Sequence, residues 1–286
     1  MPYEGAIYRP PSEGNSLILQ VTVGCSHNKC TFCSMYKNKS FRIKSKKEIF
    51  DDIDTYTNNF YTKAFLADGD AMLLETSLLI EIIKRVKAKM PNITRIGIYA
   101  HANNLKTKSI EELKLLHSEG LNIIYVGIES GSDKILEKIN KGITSDGMEK
   151  QLMKISESGI KLSLMIISGL GGKEFTYEHA IESAKLINKI KPKFLSLLTL
   201  MLEKETKFYD EVKNNRIKLL NPEEILVETK FFIENLKLEN TIFRVNHASN
   251  YLNLEGILNK DKDRILEEIN TAIKDKNYIP EYFRRL

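Results

Sequence analysis

A chain of 286 residues can bury a large core, as one barrel-sized domain or as a domain with an extension. Its 42% hydrophobic and 28% charged residues are ordinary for a globular protein, and the net charge of +5 (43 Lys and Arg against 38 Asp and Glu) is mild. Interspersed charges such as Lys134, Glu137 and Lys138 argue against a nucleic-acid surface, and the sequence shows neither a charged-then-apolar leader nor an apolar run of membrane length, so a cytoplasmic protein is expected.

Residues 1–16, with Pro10-Pro11 and two glycines before Asn15, read as an extended lead-in. Leu17 to Val23 is an apolar run that predicts a buried strand, broken at Gly24. The loop that follows, Cys25-Ser26-His27-Asn28-Lys29-Cys30-Thr31-Phe32-Cys33, holds all three cysteines of the chain. Ser45 with Glu48 is a capping-box signature for a helix. Lys63 to Ala67 reads as a second strand, followed by helix over Glu75 to Lys89. The alternation repeats: strand Arg95 to Ala100, helix Ser109 to Gly120, strand Asn122 to Ile128, helix Thr144 to Ser158. Strand Lys161 to Ile167, helix Glu174 to Lys189 and strand Phe194 to Leu200 complete it.

Six apolar strands alternating with amphipathic helices predict an α/β protein with a parallel sheet covered by helices. The pattern alone leaves open whether that sheet is flat or curled. Beyond about residue 204 the rhythm breaks into helices near Glu205 to Asn214, Pro222 to Asn235 and Asp261 to Lys274, with a strand at Thr241 to Val245. Residues 205–286 are therefore expected to form an extension packed on the 17–204 core and contributing to its substrate pocket.

The clustered thiols point to a metal. A structural disulfide would leave one cysteine over. Cys25, Cys30, Cys33 and His27 could close a tetrahedral zinc site. The same three thiolates on a four-iron cluster would leave one iron open for a small molecule.

The loop, with Phe32 just before the last cysteine, resembles that of the radical S-adenosylmethionine (SAM) superfamily, although its first spacing is one residue longer than is usual there. The resemblance implies a partial (β/α)6 TIM-like barrel of parallel strands with a C-terminal α/β extension. It implies a [4Fe–4S] cluster on Cys25, Cys30 and Cys33 as metal ligands, with SAM as second cofactor. Asp68-Gly69-Asp70, after the second strand, stands where the family contacts the SAM amino group, with Asp70 as a shortened carboxylate. Glu129 and Ser130, after the fourth strand, resemble the segment that holds the SAM ribose and carboxylate; Ser130 or Ser132 also suits a helix N-cap. Gly169 in the glycine-rich Ser168 to Glu174, together with Phe32, is expected beside the adenine.

Other candidates come from position. Functional groups collect after the C-terminal ends of parallel strands. Tyr99, His101 and Asn103 follow the third strand, and Thr199 and Glu203 the sixth. His117 and His179 sit in helical patterns and are expected on helix surfaces. Arg244, His247 and Tyr251 read as substrate-side catalytic residues, Arg244 for a carboxylate or phosphate and the other two for proton or hydrogen transfer.

The expected activity is reductive cleavage of SAM to a 5′-deoxyadenosyl radical that abstracts hydrogen from a small anionic substrate. An electron donor such as flavodoxin or ferredoxin is the implied partner. Cysteines outside the loop are lacking, which argues against an auxiliary cluster, and no cobalamin-sized segment precedes it. Alternatives are aminocarboxypropyl transfer through a different carbon–sulfur bond, a porphyrinogen-oxidising type, and a non-enzymatic zinc-binding α/β protein.

Overall fold

The apolar runs become strands and the periodic segments between them become helices in a computed structural model that describes residues 3–56 and 60–284. In chain order the first elements are β1 (Leu17–Gln20), β2 (Thr22–Val23), β3 (Arg42–Ile43), α1 (Lys46–Asp54), β4 (Lys63–Ala67) and α2 (Thr76–Lys89). Next come β5 (Arg95–Tyr99), α3 (Ile110–Glu119), β6 (Leu121–Glu129), α4 (Asp133–Lys138), α5 (Ser145–Ser158) and β7 (Lys161–Ser168). The last are α6 (Gly172–Ile190), β8 (Phe194–Thr199), α7 (Lys207–Lys213), α8 (Pro222–Glu234), β9 (Thr241–Val245), β10 (Leu254–Leu258) and α9 (Lys262–Asp275). Described residues within 1–28, 35–126 and 150–162 make one compact unit, and those within 29–34, 127–149 and 163–286 make a second.

In the first unit β1, β4, β5 and β6 lie side by side and parallel, in registers such as Leu19 with Leu66, Leu66 with Ile98 and Ile98 with Ile124. β4 is buried on both faces from Ala64 to Ala67, which is why its sequence is continuously apolar rather than alternating. The single strand expected over Leu17 to Val23 is two. β4 ends at Ala67, whose carbonyl takes the Val21 N–H at 2.6 Å, and beyond that point Thr22 and Val23 pair antiparallel with β3. Ser45 with Glu48 and Ser109 with Glu112 both form full capping boxes, and Gly120 closes α3 at φ 117°.

The lead-in is tied into this unit through Glu13, which is 0% exposed. Its carboxylate accepts from the Arg95 guanidinium, the Tyr125 hydroxyl and the Ser16 hydroxyl. Burial and this carboxylate push the Tyr125 hydroxyl well above the ordinary phenol range.

In the second unit β7, β8 and β9 are parallel, with Ile166 beside Leu197 and Leu195 beside Phe243, and β10 runs antiparallel to β9. β10 escaped the periodicity reading because Gly256 interrupts its short apolar run. Helix α8 packs against α6 and α9. The class is α/β with mostly parallel strands, as expected, and neither β1 nor β10 has a second strand partner among the described residues. Among the described residues no helix is long and apolar enough to cross a membrane.

Candidate active site

Gly24 turns the chain at φ 75°, a left-handed conformation that glycine adopts without strain, and delivers Cys25. The Asp68-Gly69-Asp70 turn after β4 grips the residues on either side of that cysteine. Asp68 Oδ2 accepts the Gly24 N–H at 3.2 Å, and the Gly69 N–H donates to the Gly24 carbonyl at 3.1 Å. Asp70 Oδ2 accepts the Ser26 hydroxyl at 2.5 Å and the Asn104 amide at 2.5 Å, while Oδ1 accepts the His101 N–H at 2.9 Å. A Cβ on Gly69 would lie 2.7 Å from the Tyr36 ring and 3.1 Å from Cys25 Cβ, so only glycine lets the turn approach this closely. His101 stacks on His27, ring centroids 5.0 Å apart.

Both aspartates are fully buried; both oxygens of Asp70 accept from the groups named above, whereas Asp68 Oδ1 has no hydrogen-bond partner among the described residues. Asp68 Oδ2 also carries the Lys39 ammonium at 2.8 Å. Burial, then the Asp68 charge, drives the Tyr36 hydroxyl far above its usual range. Tyr99 packs edge-on against Phe65, and burial raises its hydroxyl in the same way.

In the second unit, Thr31 is held on both sides by main-chain bonds: its N–H donates to the Ile139 carbonyl at 2.9 Å, and its carbonyl accepts from Phe208 N–H at 3.0 Å. That fixes the path between Cys30 and Cys33, with Phe32 partly exposed. Glu129 adopts φ 65°, and its carboxylate lies 2.9 Å from the Lys141 ammonium. Ser130 is buried, with its hydroxyl 2.8 Å from His179 Nδ1. Ser132 caps α4 through the Ile135 N–H. Gly169 stands at φ 84°, and a Cβ there would meet the Ile225 side chain at 2.7 Å.

On the β9 side, Arg244 is exposed at mid-strand opposite Glu255. His247 is partly buried, and its Nδ1 accepts the Ser249 N–H at 3.1 Å, which leaves the hydrogen of the neutral ring on Nε2. Burial holds the imidazole below its ordinary pKa. Tyr251 is 6% exposed, and its hydroxyl is shared between Glu281 and Arg284. Thr199 donates to Asn250 Oδ1 at 3.0 Å, and the Glu203 carbonyl accepts from the Thr206 hydroxyl at 2.8 Å.

Three thiols in one loop are a donor set whose chemistry suits iron–sulfur ligation. All three cysteines are partly exposed and outside any disulfide. Among the described residues no three His, Cys, Asp or Glu side chains converge on a point that would hold a single metal ion. A cluster does not ask for that convergence, because each thiolate binds a different iron.

A family model described as the radical SAM superfamily matches residues 19–187. The chain belongs to the radical SAM superfamily. As a radical SAM protein it is an enzyme whose cofactors are a [4Fe–4S] cluster and SAM. It is 29% identical over 171 residues to 4'-phospho-dehydrooxetanocin synthase of Priestia megaterium, covering 53% of this chain and 23% of that one. It is 27% identical over 143 residues to the heme chaperone HemW of Bacillus subtilis (strain 168), covering 49% of this chain and 36% of that one. The radical SAM chain thus spans well under half the length of these curated relatives. In fold it is similar to coproporphyrinogen III oxidase (HemN) of Escherichia coli, a radical SAM enzyme, with TM-score 0.56, 19% identity and coverage of 77% and 52%. It is also similar to methylornithine synthase (PylB), with TM-score 0.55, 15% identity and coverage of 93% and 82%. These likenesses support the partial-barrel α/β fold.

Two buried polar residues of the second unit were not legible beforehand. His117 is exposed as expected, but His179 is 2% exposed rather than on the helix surface. Glu228 on α8, also 2% exposed, accepts the Gly169 N–H at 2.7 Å. A polar residue inside a helical pattern carries no sign of which loop will cover it.

Proposed function

We propose that this enzyme reductively cleaves SAM on a [4Fe–4S] cluster held by Cys25, Cys30 and Cys33, yielding a 5′-deoxyadenosyl radical that takes hydrogen from a small anionic substrate. The observation that carries this reading is the grip of Asp68, Gly69 and Asp70 on Gly24 and Ser26, which fixes Cys25 from both sides. The three thiolates would hold the cluster, which would supply the electron that cleaves SAM. Asp68 and Asp70 act by holding the loop. Glu129, steadied by Lys141, accepts the ribose hydroxyls, and Ser130 braces that segment. Phe32 and Gly169 are assigned to the adenine, and Tyr99 is a further SAM contact.

On the substrate side Arg244 presents its guanidinium to the anionic group. His247 is the better proton carrier, because the Tyr251 hydroxyl is committed to Arg284 and Glu281. Flavodoxin or ferredoxin supplies the electron, and a reducing cytoplasm suits the three thiols.

The test is anaerobic reconstitution with iron and sulfide, reduction in the presence of SAM, and analysis of the nucleoside, with Cys30→Ala as the variant expected to lose the cluster. 5′-Deoxyadenosine supports the reading. 5′-Methylthioadenosine would mean aminocarboxypropyl transfer, and a protein holding only zinc with no SAM turnover overturns it. A second reading, a haem- or porphyrin-handling protein, is favoured by the likeness to HemW and HemN. Titration with haem and with coproporphyrinogen separates it from the first.

A further inference from the structure

One face of α6 carries three polar side chains, Thr176, His179 and Ser183, at helical spacing. Each reaches a different point of the protein, and together they brace two loops. His179 Nε2 faces the Ile167 carbonyl at 3.0 Å, and a carbonyl only accepts, so the ring hydrogen sits on Nε2. Nδ1 is then the acceptor, and the Ser130 hydroxyl donates to it at 2.8 Å. Ser183 Oγ accepts the Gly131 N–H at 2.9 Å. The residues after β6 are therefore pinned to α6 by side chain and by backbone.

The loop after β7 is pinned from the other side of the same stripe. Glu228 Oε1 accepts the Gly169 N–H at 2.7 Å, and Oε2 accepts the Thr176 hydroxyl at 2.7 Å. His179 Nε2 also stands 3.9 Å from Oε1, beyond hydrogen-bond distance. A glutamate buried to 2%, with no arginine or lysine paired to it among the described residues, has a real desolvation cost. Its oxygens recover that cost through these two donors, one of which is the backbone of Gly169.

We infer that His179 and Glu228 are positioning residues for SAM: a buried hydrogen-bonded brace on α6 and α8 that sets Ser130 and Gly169 in the places where the nucleoside is held. Both act through other residues, His179 through Ser130 and Glu228 through the Gly169 N–H. The inference rests on the proposed function, because it takes the segments after β6 and β7 as the nucleoside-facing ones. Geometry is the active property. A glutamine at 228 keeps a carbonyl oxygen for the Gly169 N–H and can accept or donate toward Thr176; an alanine leaves Gly169 without its acceptor.

The experiment uses full-length, anaerobically reconstituted enzyme carrying Glu228→Ala, Glu228→Gln, His179→Ala and Thr176→Val. Iron content, thermal midpoint, SAM affinity by equilibrium dialysis, and the KM and kcat of SAM cleavage are measured on each. Glu228→Ala and His179→Ala are expected to keep their iron and to bind SAM about tenfold more weakly, a loss equal to one hydrogen bond. KM should rise with kcat little changed, and Glu228→Gln should return affinity to within about threefold of wild type. Thr176→Val, which removes one donor without removing charge or bulk, keeps the test alive if the alanine variants do not fold, and should weaken SAM binding severalfold. Wild-type SAM affinity in the folded variants, with only the melting point lowered, overturns the inference. Wild-type enzyme that binds no SAM overturns the proposed function instead.

Discussion

The Lys39 ammonium stands 2.8 Å from the Asp68 carboxylate, and the two side chains are 10% and 0% exposed. The same Asp68 oxygen accepts the Gly24 N–H, so the pair ties the chain leaving the cysteine loop to the chain entering it. Two charges this well shielded hold each other in place; either one alone would be a buried, unneutralised ion.

Lys39→Met should destabilise the apo protein by about 3–5 kcal/mol, the usual consequence of stranding one partner of a buried pair. Adding Asp68→Asn should recover part of that loss, because the stranded charge is then gone. Urea denaturation of the two variants measures both effects, and an unmoved midpoint for Lys39→Met would show the pair to be energetically idle.

Asp70→Ala removes the acceptor for Ser26, Asn104 and His101 at once. Freed from that grip, the residue beside Cys25 should move more widely. In a Cys30→Ser, Cys33→Ser background the alkylation rate of Cys25 in the apo protein should rise about tenfold, and in the otherwise wild-type loop iron should be lost faster on chelation. Equal alkylation rates with and without the aspartate would dismiss the loop-holding role.

His247 is held below its ordinary pKa by burial, so the unfolded chain takes up its proton first as pH falls. Above the ordinary imidazole value of about 6.5 the group is neutral in both states and contributes nothing. Below it, protonation of the unfolded form draws stability away until the folded form titrates as well. Unfolding free energies between about pH 7 and pH 5 should therefore fall with a slope that His247→Gln removes; a variant with the wild-type slope would place that proton uptake elsewhere.

The regular alternation was readable because β4, β5 and β6 are buried on both faces and show it as continuous apolar runs. The caps of α1 and α3 were readable because Ser45 with Glu48 and Ser109 with Glu112 are local signals. What stayed hidden depends on partners distant in sequence. The buried placement of His179 is decided by Ser130, 49 positions earlier, and that of Glu228 by Gly169, 59 positions earlier. Neither helix pattern contains that information, so a polar stripe that faces two loops reads like one that faces water.

Glu13→Ala should lower stability by about 3–5 kcal/mol, because Arg95 loses its buried carboxylate and the Tyr125 and Ser16 hydroxyls lose their acceptor. Thermal unfolding followed by circular dichroism reads the loss. Glu13→Gln, which keeps an acceptor but not the charge, should fall between. A melting curve that overlays wild type would make the N-terminal segment dispensable.

Glu13 is made 82 residues before Arg95 and 112 before Tyr125. During synthesis its carboxylate has neither partner until most of the first unit has left the ribosome. Glu13 is therefore translated ahead of both partners and is among the last residues of the first unit that can lock. Strands β1, β4, β5 and β6 must assemble around it or before it. A bulky segment placed just ahead of residue 13 would act on that late docking step, slowing burial of the Glu13 carboxylate while leaving the pairing of β1, β4, β5 and β6 intact.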